Sequence, residues 1–374
     1  ASLEGDMKVL EVVPVRRISA GPVAVVKSVA SRLTGMGYHV SVLSPGGYDD
    51  TASQFLDMGV RVVSSLGELR RTASRPDLVH FHGALNPRFI PVGFHCRRQS
   101  IPYIVSPHGN LMPQALSHNW LKKKVALETI LRWHLGRARC YHALCSEEAD
   151  AILALYPRVD VRVIHNGVDI GEMPMESMPR SQHTKPRTIA FLGRIDVPHK
   201  GIDLLLDGAI QAALRPQVTH DVRIRIAGMF ASEHDKSVFE DLMSRGASAL
   251  ASYVGPKYGS EKTAFLRDCD AFIHTSRYEG MPMAILEAMA EGKPCIVTRG
   301  TNMADIVSRC DGGWVIGSDP ASISEMLAQV SSVDEAVLHD KGSRCLRWCK
   351  ENHNWGALVK QYDNMYRSVA DCVE

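Results

Sequence analysis

The chain has 374 residues, 45 % of them hydrophobic and 22 % charged; this is the balance of a folded soluble protein too long for one comfortable core, so two domains are expected. Its net charge of +2 gives no ground for a nucleic-acid partner, and no apolar run approaches the roughly 18 residues that span a bilayer. Nine cysteines, scattered without a framework spacing, point to reduced thiols and a cytoplasmic location.

In chain order, "ASLEGDMKVLEVV" opens without a basic region followed by an apolar stretch, so no secretion signal is expected, and the first strand starts near Met7. "PVAVVKSVASRLTGMG" has helical spacing, with Pro22 near its first turn and glycine at its end. "YHVSVLS", "PDLVHFHG", "PYIVSPHG", "CYHALCS" and "VRVIHNG" read as short strands of a parallel sheet buried on both faces. Residues 171–187, "GEMPMESMPRSQHTKPR", are punctuated by proline and lack apolar periodicity, which marks a linker. The alternation then restarts with "TIAFLGR", "DVRIRIAG", "ASYVG", "CDAFIHTS", "KPCIVT" and "GGWVIG". The chain therefore reads as α/β, with doubly wound domains at 7–170 and 188–353 and a lone helix over 354–374. Charge divides unevenly between the halves. Residues 1–170 hold 20 Lys/Arg against 14 Asp/Glu and the remainder 23 against 27, so the first half is better suited to an anionic surface.

In sheets of this kind ligands lie beyond the carboxyl ends of the strands. "FLGRIDVPHKG", residues 191–201, places Gly193, Arg194 and Lys200 just after a strand, where glycine admits a close backbone approach and two cations clamp a diphosphate. The plain alternative is a solvated basic loop. "SRYEGMPMAILEAMAEGKP", residues 276–294, runs from a loop into a helix start whose dipole attracts an anion. Glu287 lies about one turn inside that helix, roughly 6 Å along its axis, in reach of a ribose diol. Glu279, on the loop, is placed for a sugar beyond the diphosphate; the alternative makes both carboxylates simple first-turn charges, and Glu291 fits a surface charge. His80, His82 and His108 stand at strand ends. His108, in "SPHGN", is expected to touch substrate.

Two further features stay open. Residues 119–139, "NWLKKKVALETILRWHLGRAR", carry six Lys/Arg against one Glu, with Leu121, Val125, Leu131 and Leu135 spaced for one helix face. Such a helix either lies on an anionic leaflet or a lipid-diphosphate acceptor, or packs on the core with a solvated basic face. Cys345, Cys349 and His353 are four apart. With no further ligand in view, they read as buried thiols rather than a metal site.

"GRIDVPHKG" together with "EGMPMAILEAMAEGKP" resembles the signature of retaining nucleotide-sugar glycosyltransferases of family four. The similarity extends to "SPHGNLMPQAL", "HNGVD" and the terminal "NW" helix. The resemblance implies the GT-B fold: two Rossmann-like domains facing across a cleft, with the terminal helix returning to the first. It implies that Arg194 and Lys200 bind the donor diphosphate, and that Glu287 takes the ribose. Glu279 and the Gly280, Met281 and Met283 amides would hold sugar and phosphates while Pro282 shapes the turn. His108 would contact the transferred sugar, and Gly255 and Pro256 would flank the base. The family's first loop usually has two adjacent glycines; here Ala20 precedes Gly21, so Gly21 carries that role alone. In such enzymes the leaving phosphate takes the acceptor's proton, so no dedicated base is implied; no carboxylate cluster for a metal appears in the sequence, so no metal and no cofactor are expected. "PHGNL…PQAL" is similar to exopolysaccharide-assembly transferases, which implies a glycan or lipid-linked acceptor.

Three other readings are weighed against this one. A nucleotide-sugar epimerase shares the fold, and a sugar-nucleotide-binding protein without turnover shares the motifs. A dinucleotide-dependent oxidoreductase needs a G-x-G-x-x-G after the first strand, which "RRISAGPVAVV" lacks.

Overall fold

A computed structural model describes residues 7–14, 21–48, 52–72, 75–117, 125, 129–171, 186–215, 218 and 221–371. The chain divides into two units, Ala1–Gly167 with Trp355–Glu374, and Val168–Asn354. Most of the linker segment falls outside the described residues; its last residue, Arg187, already begins a strand.

The first unit holds β1 (Lys8–Val12), β2 (His39–Leu43), β3 (Arg61–Val63), β4 (Leu78–His82), β5 (Tyr103–Ser106), β6 (Cys140–Ala143) and β7 (Asp160–Val163). They form one sheet in the order β3-β2-β1-β4-β5-β6-β7, and every neighbouring pair is parallel. β3 is absent from the strands expected from sequence, because three residues on a sheet edge carry too little periodicity to be seen. β4 and β5 are buried along their whole length, as sheets covered on both faces require. The terminal helix Trp355–Asp371 buries Trp355, Leu358, Val359, Tyr362, Met365, Tyr366 and Val369. That three-and-four spacing is the apolar stripe of a helix packed on a core, and it packs on the first helix, Gly21–Gly35, and on β4.

The second unit holds β8 (Arg187–Leu192), β9 (Val222–Ala227), β10 (Ala251–Tyr253), β11 (Ala271–His274), β12 (Cys295–Thr298) and β13 (Gly313–Ile316). Their order is β10-β9-β8-β11-β12-β13, again all parallel. In each sheet the first strand lies in the middle and the order reverses beside it: between β1 and β4, and between β8 and β11. At such a switch point the following loops leave in opposite directions and open a crevice at the strand ends.

Leu205 and Leu206 of the helix Ile202–Ala213 pack in the second core with Ile189, Ile224 and Ile323. Leu206→Ala should cost about 2–5 kcal/mol of unfolding free energy, read from the urea midpoint. Leu56→Ala, at a side chain 59 % exposed, should change it by less than about 0.5 kcal/mol.

Candidate functional site

In the second unit the loops after β8 and β11 meet. Asp196 caps the one-turn helix Val197–Lys200, accepting from the His199 N–H at 2.9 Å. Gly201 ends that turn with φ +63°, and a Cβ there would lie 2.3 Å from the Thr275 carbonyl. Thr275 in turn donates its hydroxyl to the Gly201 carbonyl at 3.0 Å. Lys200 is thereby fixed beside the end of β11. The loops after β9 and β10 close against the same place. Gly228 donates its N–H to the carbonyl of Gly255 at 3.2 Å, and a Cβ on Gly228 would lie 1.7 Å from the carbonyl of Gly193.

Glu279 is the centre of this arrangement. Its carboxylate is 9 % exposed and paired with the Lys200 ammonium. It also accepts from the Ser276 hydroxyl at 2.8 Å. His199 Nε2 lies 3.4 Å away and His274 Nε2 3.6 Å away. Burial by itself would raise the carboxyl's pKa. Lys200 and the two imidazoles outweigh it and hold the group well below the usual carboxylate range. Burial pushes His274 down to about 4, and its ring stacks on Phe191 and Phe272. Arg194, 52 % exposed, reaches Asp196 Oδ2 at 2.7 Å and His199 Nδ1 at 3.1 Å. The His199 ring is stacked on Tyr278 with centroids 4.5 Å apart. Arg194, Lys200 and Glu279 are thus brought together through a residue that sequence reasoning passed over. His199 stood next to Lys200 in "VPHKG", and His274 closed the strand "AFIH"; neither pattern by itself announces a site.

The helix Met283–Ala290 follows Pro282, its N-cap. Gly280 and Met281 are buried just before it. Glu287 accepts from Lys262 Nζ at 2.7 Å. Burial raises its pKa and Lys262 opposes the shift. Lys262, from the helix Gly259–Arg267, was also missed, because nothing in sequence ties it to Glu287. Gly255 sits after β10 with φ +74° and no atom within 4 Å of a built Cβ, and Pro256 follows it. Glu291 meets Arg267 at 2.7 Å, with its side chain only 14 % exposed, so it is less a surface charge than expected.

The first unit places Gly21 at the start of its first helix, where a built Cβ meets nothing within 4 Å; Ala20 lies outside the described residues. His108 is half-buried with a left-handed backbone, φ +53°. Its Nε2 lies 2.9 Å from His82 Nδ1, and His82 Nε2 lies 2.7 Å from Glu11 Oε2. Tyr366 of the terminal helix donates to Glu11 Oε1 at 2.8 Å and sits 2.6 Å from His80 Nδ1. Burial, followed by neighbouring imidazoles, holds His80 and His108 well below the usual histidine value. Among the described residues, Glu11, His80 and His82 are the group whose atoms converge closely enough for a metal ion. Their ligand atoms, however, sit at hydrogen-bonding distance from partners. Cys345, Cys349 and His353 do not converge in this way. Cys345 points its thiol at the Gly312 carbonyl, and the eight described cysteines are free.

Of residues 119–139, 119–124 and 126–128 lie outside the described residues. Leu131 and Leu135 are buried in the first unit's core, so that face packs inward, while Val125 is 55 % exposed. No described helix is long and apolar enough to cross a membrane.

Comparison with known proteins finds two family models in succession. Residues 20–167 match a glycosyl transferase 4-like domain and residues 186–332 match glycosyl transferases group 1. Glycogen synthase of Mycobacterium tuberculosis (strain ATCC 25618 / H37Rv) is 24 % identical over 282 residues, 73 % of this chain and 64 % of that protein. GDP-mannose:cellobiosyl-diphosphopolyprenol alpha-mannosyltransferase of Xanthomonas campestris is 23 % identical over 309 residues, 82 % of this chain and 77 % of that one. The chain thus spans just under two thirds of the glycogen synthase. Among solved structures, Anabaena Alr3699/HepE in complex with UDP and glucose superposes with a TM-score of 0.77 at 17 % identity. The match covers 97 % of this chain and 100 % of that one, which shows a shared GT-B fold.

The depressed pKa of Glu279 has a consequence for stability. A carboxyl held below its unfolded value stabilises the fold above that value, and the contribution is lost as pH falls through the folded pKa. Between about pH 5 and about pH 3 the wild-type urea midpoint should therefore fall more than that of Glu279→Gln. Equal slopes would show that the Lys200 pair contributes nothing.

Proposed function

The chain belongs to the family-four type of GT-B glycosyltransferases, and on that premise we propose that it moves a sugar from a nucleoside-diphosphate sugar to a hydroxyl of a glycan or lipid-linked acceptor, with retention at the anomeric carbon. The observation that carries this reading is the cluster at the β8/β11 switch point. Lys200 pairs there with the buried carboxylate of Glu279 beside a helix start, Arg194 is linked to the same carboxylate through His199, and a second carboxylate, Glu287, lies one turn along that helix.

Each residue has a role in this reading. Arg194 and Lys200 neutralise the charge that grows on the diphosphate as the bond from C1 to the phosphate oxygen breaks. The Gly193 backbone admits the phosphates, and the turn from Gly280 through Pro282 to Met283 faces them with its amides and helix dipole. Glu287 accepts from the ribose hydroxyls, and the loop at Gly255 and Pro256 flanks the base. Glu279 and His108 hold the transferred sugar, and Gly21 leaves room for donor and acceptor. The acceptor oxygen bonds to C1 from the face that the diphosphate leaves, and its proton passes to a departing phosphate oxygen. No side chain is assigned as the base. We assign charge neutralisation to the two cations rather than to a metal ion because both stand at the strand ends where the diphosphate is placed. The likeness to a transferase named for a diphosphopolyprenol acceptor supports a lipid-linked or glycan acceptor, and so a place in polysaccharide assembly.

Thermal-shift screening against nucleoside diphosphates and their sugars tests the donor: a ligand at about 100 times its Kd adds about 2.7 kcal/mol. Glu287→Ala should weaken binding of the free nucleoside diphosphate about tenfold or more; unchanged binding removes the ribose role. With the donor known, Arg194→Ala combined with Lys200→Ala should lower transfer by about 1,000-fold or more. Retained turnover removes the clamp from the mechanism. Conversion of the donor without any acceptor, into a stereoisomer, would mark an epimerase instead.

A further inference from the structure

Beneath His108 runs a chain of buried polar groups that the transfer reaction does not use. In one direction, Glu11 Oε2 meets His82 Nε2 at 2.7 Å, and His82 Nδ1 meets His108 Nε2 at 2.9 Å. In the other, Glu11 Oε1 meets the Tyr366 hydroxyl at 2.8 Å, which meets His80 Nδ1 at 2.6 Å. His80 Nε2 then meets the Ser106 hydroxyl at 2.6 Å, which meets His142 Nδ1 at 2.6 Å. His142 Nε2 ends the chain on the Ile164 carbonyl at 2.8 Å. Glu11, His80, His82, Ser106 and His142 are all buried, as is Tyr366.

Each of these seven contacts needs one proton, and an ionised carboxylate and a carbonyl can only accept. Neutral His80 and His142 supply one proton each, and Tyr366 and Ser106 one each, so the five contacts from Glu11 to Ile164 have four protons. Neutral His82 supplies one of the remaining two contacts, and His108 supplies the other only when its proton is on Nε2. The set is therefore complete and neutral with a single added proton, on the Glu11 carboxyl or on an imidazole of the five-contact arm. Were His108 instead to accept through Nε2, a second added proton would be needed, leaving a net positive charge in the interior. Burial disfavours such a charge.

We infer that Glu11 and His82 are positioning residues that fix His108 in the Nε2–H tautomer, so that it presents Nδ1 as a hydrogen-bond acceptor to a hydroxyl of the transferred sugar. This rests on the proposed function for the identity of the ligand alone; the tautomer follows from the proton count. Tyr366 ties the terminal helix into the same count. His108's left-handed backbone, φ +53°, is a cost that a fixed ring orientation helps to explain.

The test is the long-range proton–nitrogen spectrum of the full chain labelled with ¹⁵N-histidine, with the His108 signals assigned by their loss in His108→Gln. The expected pattern is a protonated Nε2 and an unprotonated Nδ1 for His108 at neutral pH. In His82→Phe that pattern should become the average of two exchanging tautomers. Donor kcat/KM should fall about tenfold, with the Kd of the free nucleoside diphosphate unchanged. Glu11→Gln, whose amide takes the place of a protonated acid, should keep the wild-type His108 pattern; it covers the case in which His82→Phe does not fold. A proton on Nδ1 of His108 in the wild type or in Glu11→Gln overturns the inference, as does an unchanged pattern in a folded His82→Phe. So does a stoichiometric transition metal in the purified protein whose removal by EDTA shifts the His80 and His82 signals. The expected spectrum in a protein that transfers no sugar from any donor would count against the proposed function and leave the relay standing.

Discussion

A carboxylate buried where a parallel sheet reverses its strand order is the constraint on which each unit turns. The switch point is the natural place for a ligand because its loops diverge, but strand ends there are flanked by apolar sheet faces that leave a charge poorly solvated. A buried carboxylate persists only with partners that restore what water gave it. The second unit answers with a cation, Lys200 on Glu279, supported by Ser276 and two imidazoles. The first unit instead buries Glu11 within β1, in register with His80 of β4, and surrounds it with histidine and tyrosine. There the balance is met by a proton.

On the proposed reading, this explains how carboxylates come to stand beside a site for a diphosphate. Glu279 does not confront an incoming diphosphate as a free negative charge, because it is already neutralised by Lys200. The pair holds the lysine's long side chain, 14 % exposed, in one place before any donor arrives. Ordering a flexible cation is part of what binding costs, and here the fold has met that part in advance. Arg194 is different. At 52 % exposure it is a long side chain paired among the described residues with Asp196, whose own side chain is 10 % exposed, and with His199; on the proposed reading it turns toward the phosphates while Asp196 keeps its bond from the His199 N–H. The two cations divide the work: one fixed and deep, one exposed and adjustable.

Much of the fold was legible because parallel strands buried on both faces write unbroken apolar runs such as "LVHFH" and "AFIH". Of the thirteen strands among the described residues, twelve fall in segments read as strands from the sequence, and β3 does not, since "RVV" on an edge is too short to stand out. At the site, Arg194, Lys200, Glu279 and Glu287 were visible because charged residues directly after a strand, or at a helix start, are unusual in a buried sheet. Their partners were not. Lys262 reaches Glu287 from 25 positions away, and His274 reaches Glu279 from a separate element, so only the fold supplies those pairs. The leucines of residues 119–139 show the opposite limit. An amphipathic pattern records that one face is apolar and not what covers it, and Leu131 and Leu135 turn out to face the core.

Histidine recurs at both switch points for one reason. A neutral imidazole donates from one nitrogen and accepts at the other, so it passes the direction of a hydrogen bond from a buried group to an exposed one without carrying charge into the interior. His199 does this between Glu279 and Arg194, with Nε2 toward the carboxylate and Nδ1 toward the guanidinium. His82 does it between Glu11 and His108. Lysine in either position could only donate and would bring a charge with it; serine is too short to span two groups held this far apart. The second-unit histidine sits between a buried anion and a surface cation, so its two bonds are fixed by charge. The first-unit histidine sits between a carboxyl and another imidazole, so its two bonds are fixed only by how many protons the chain holds.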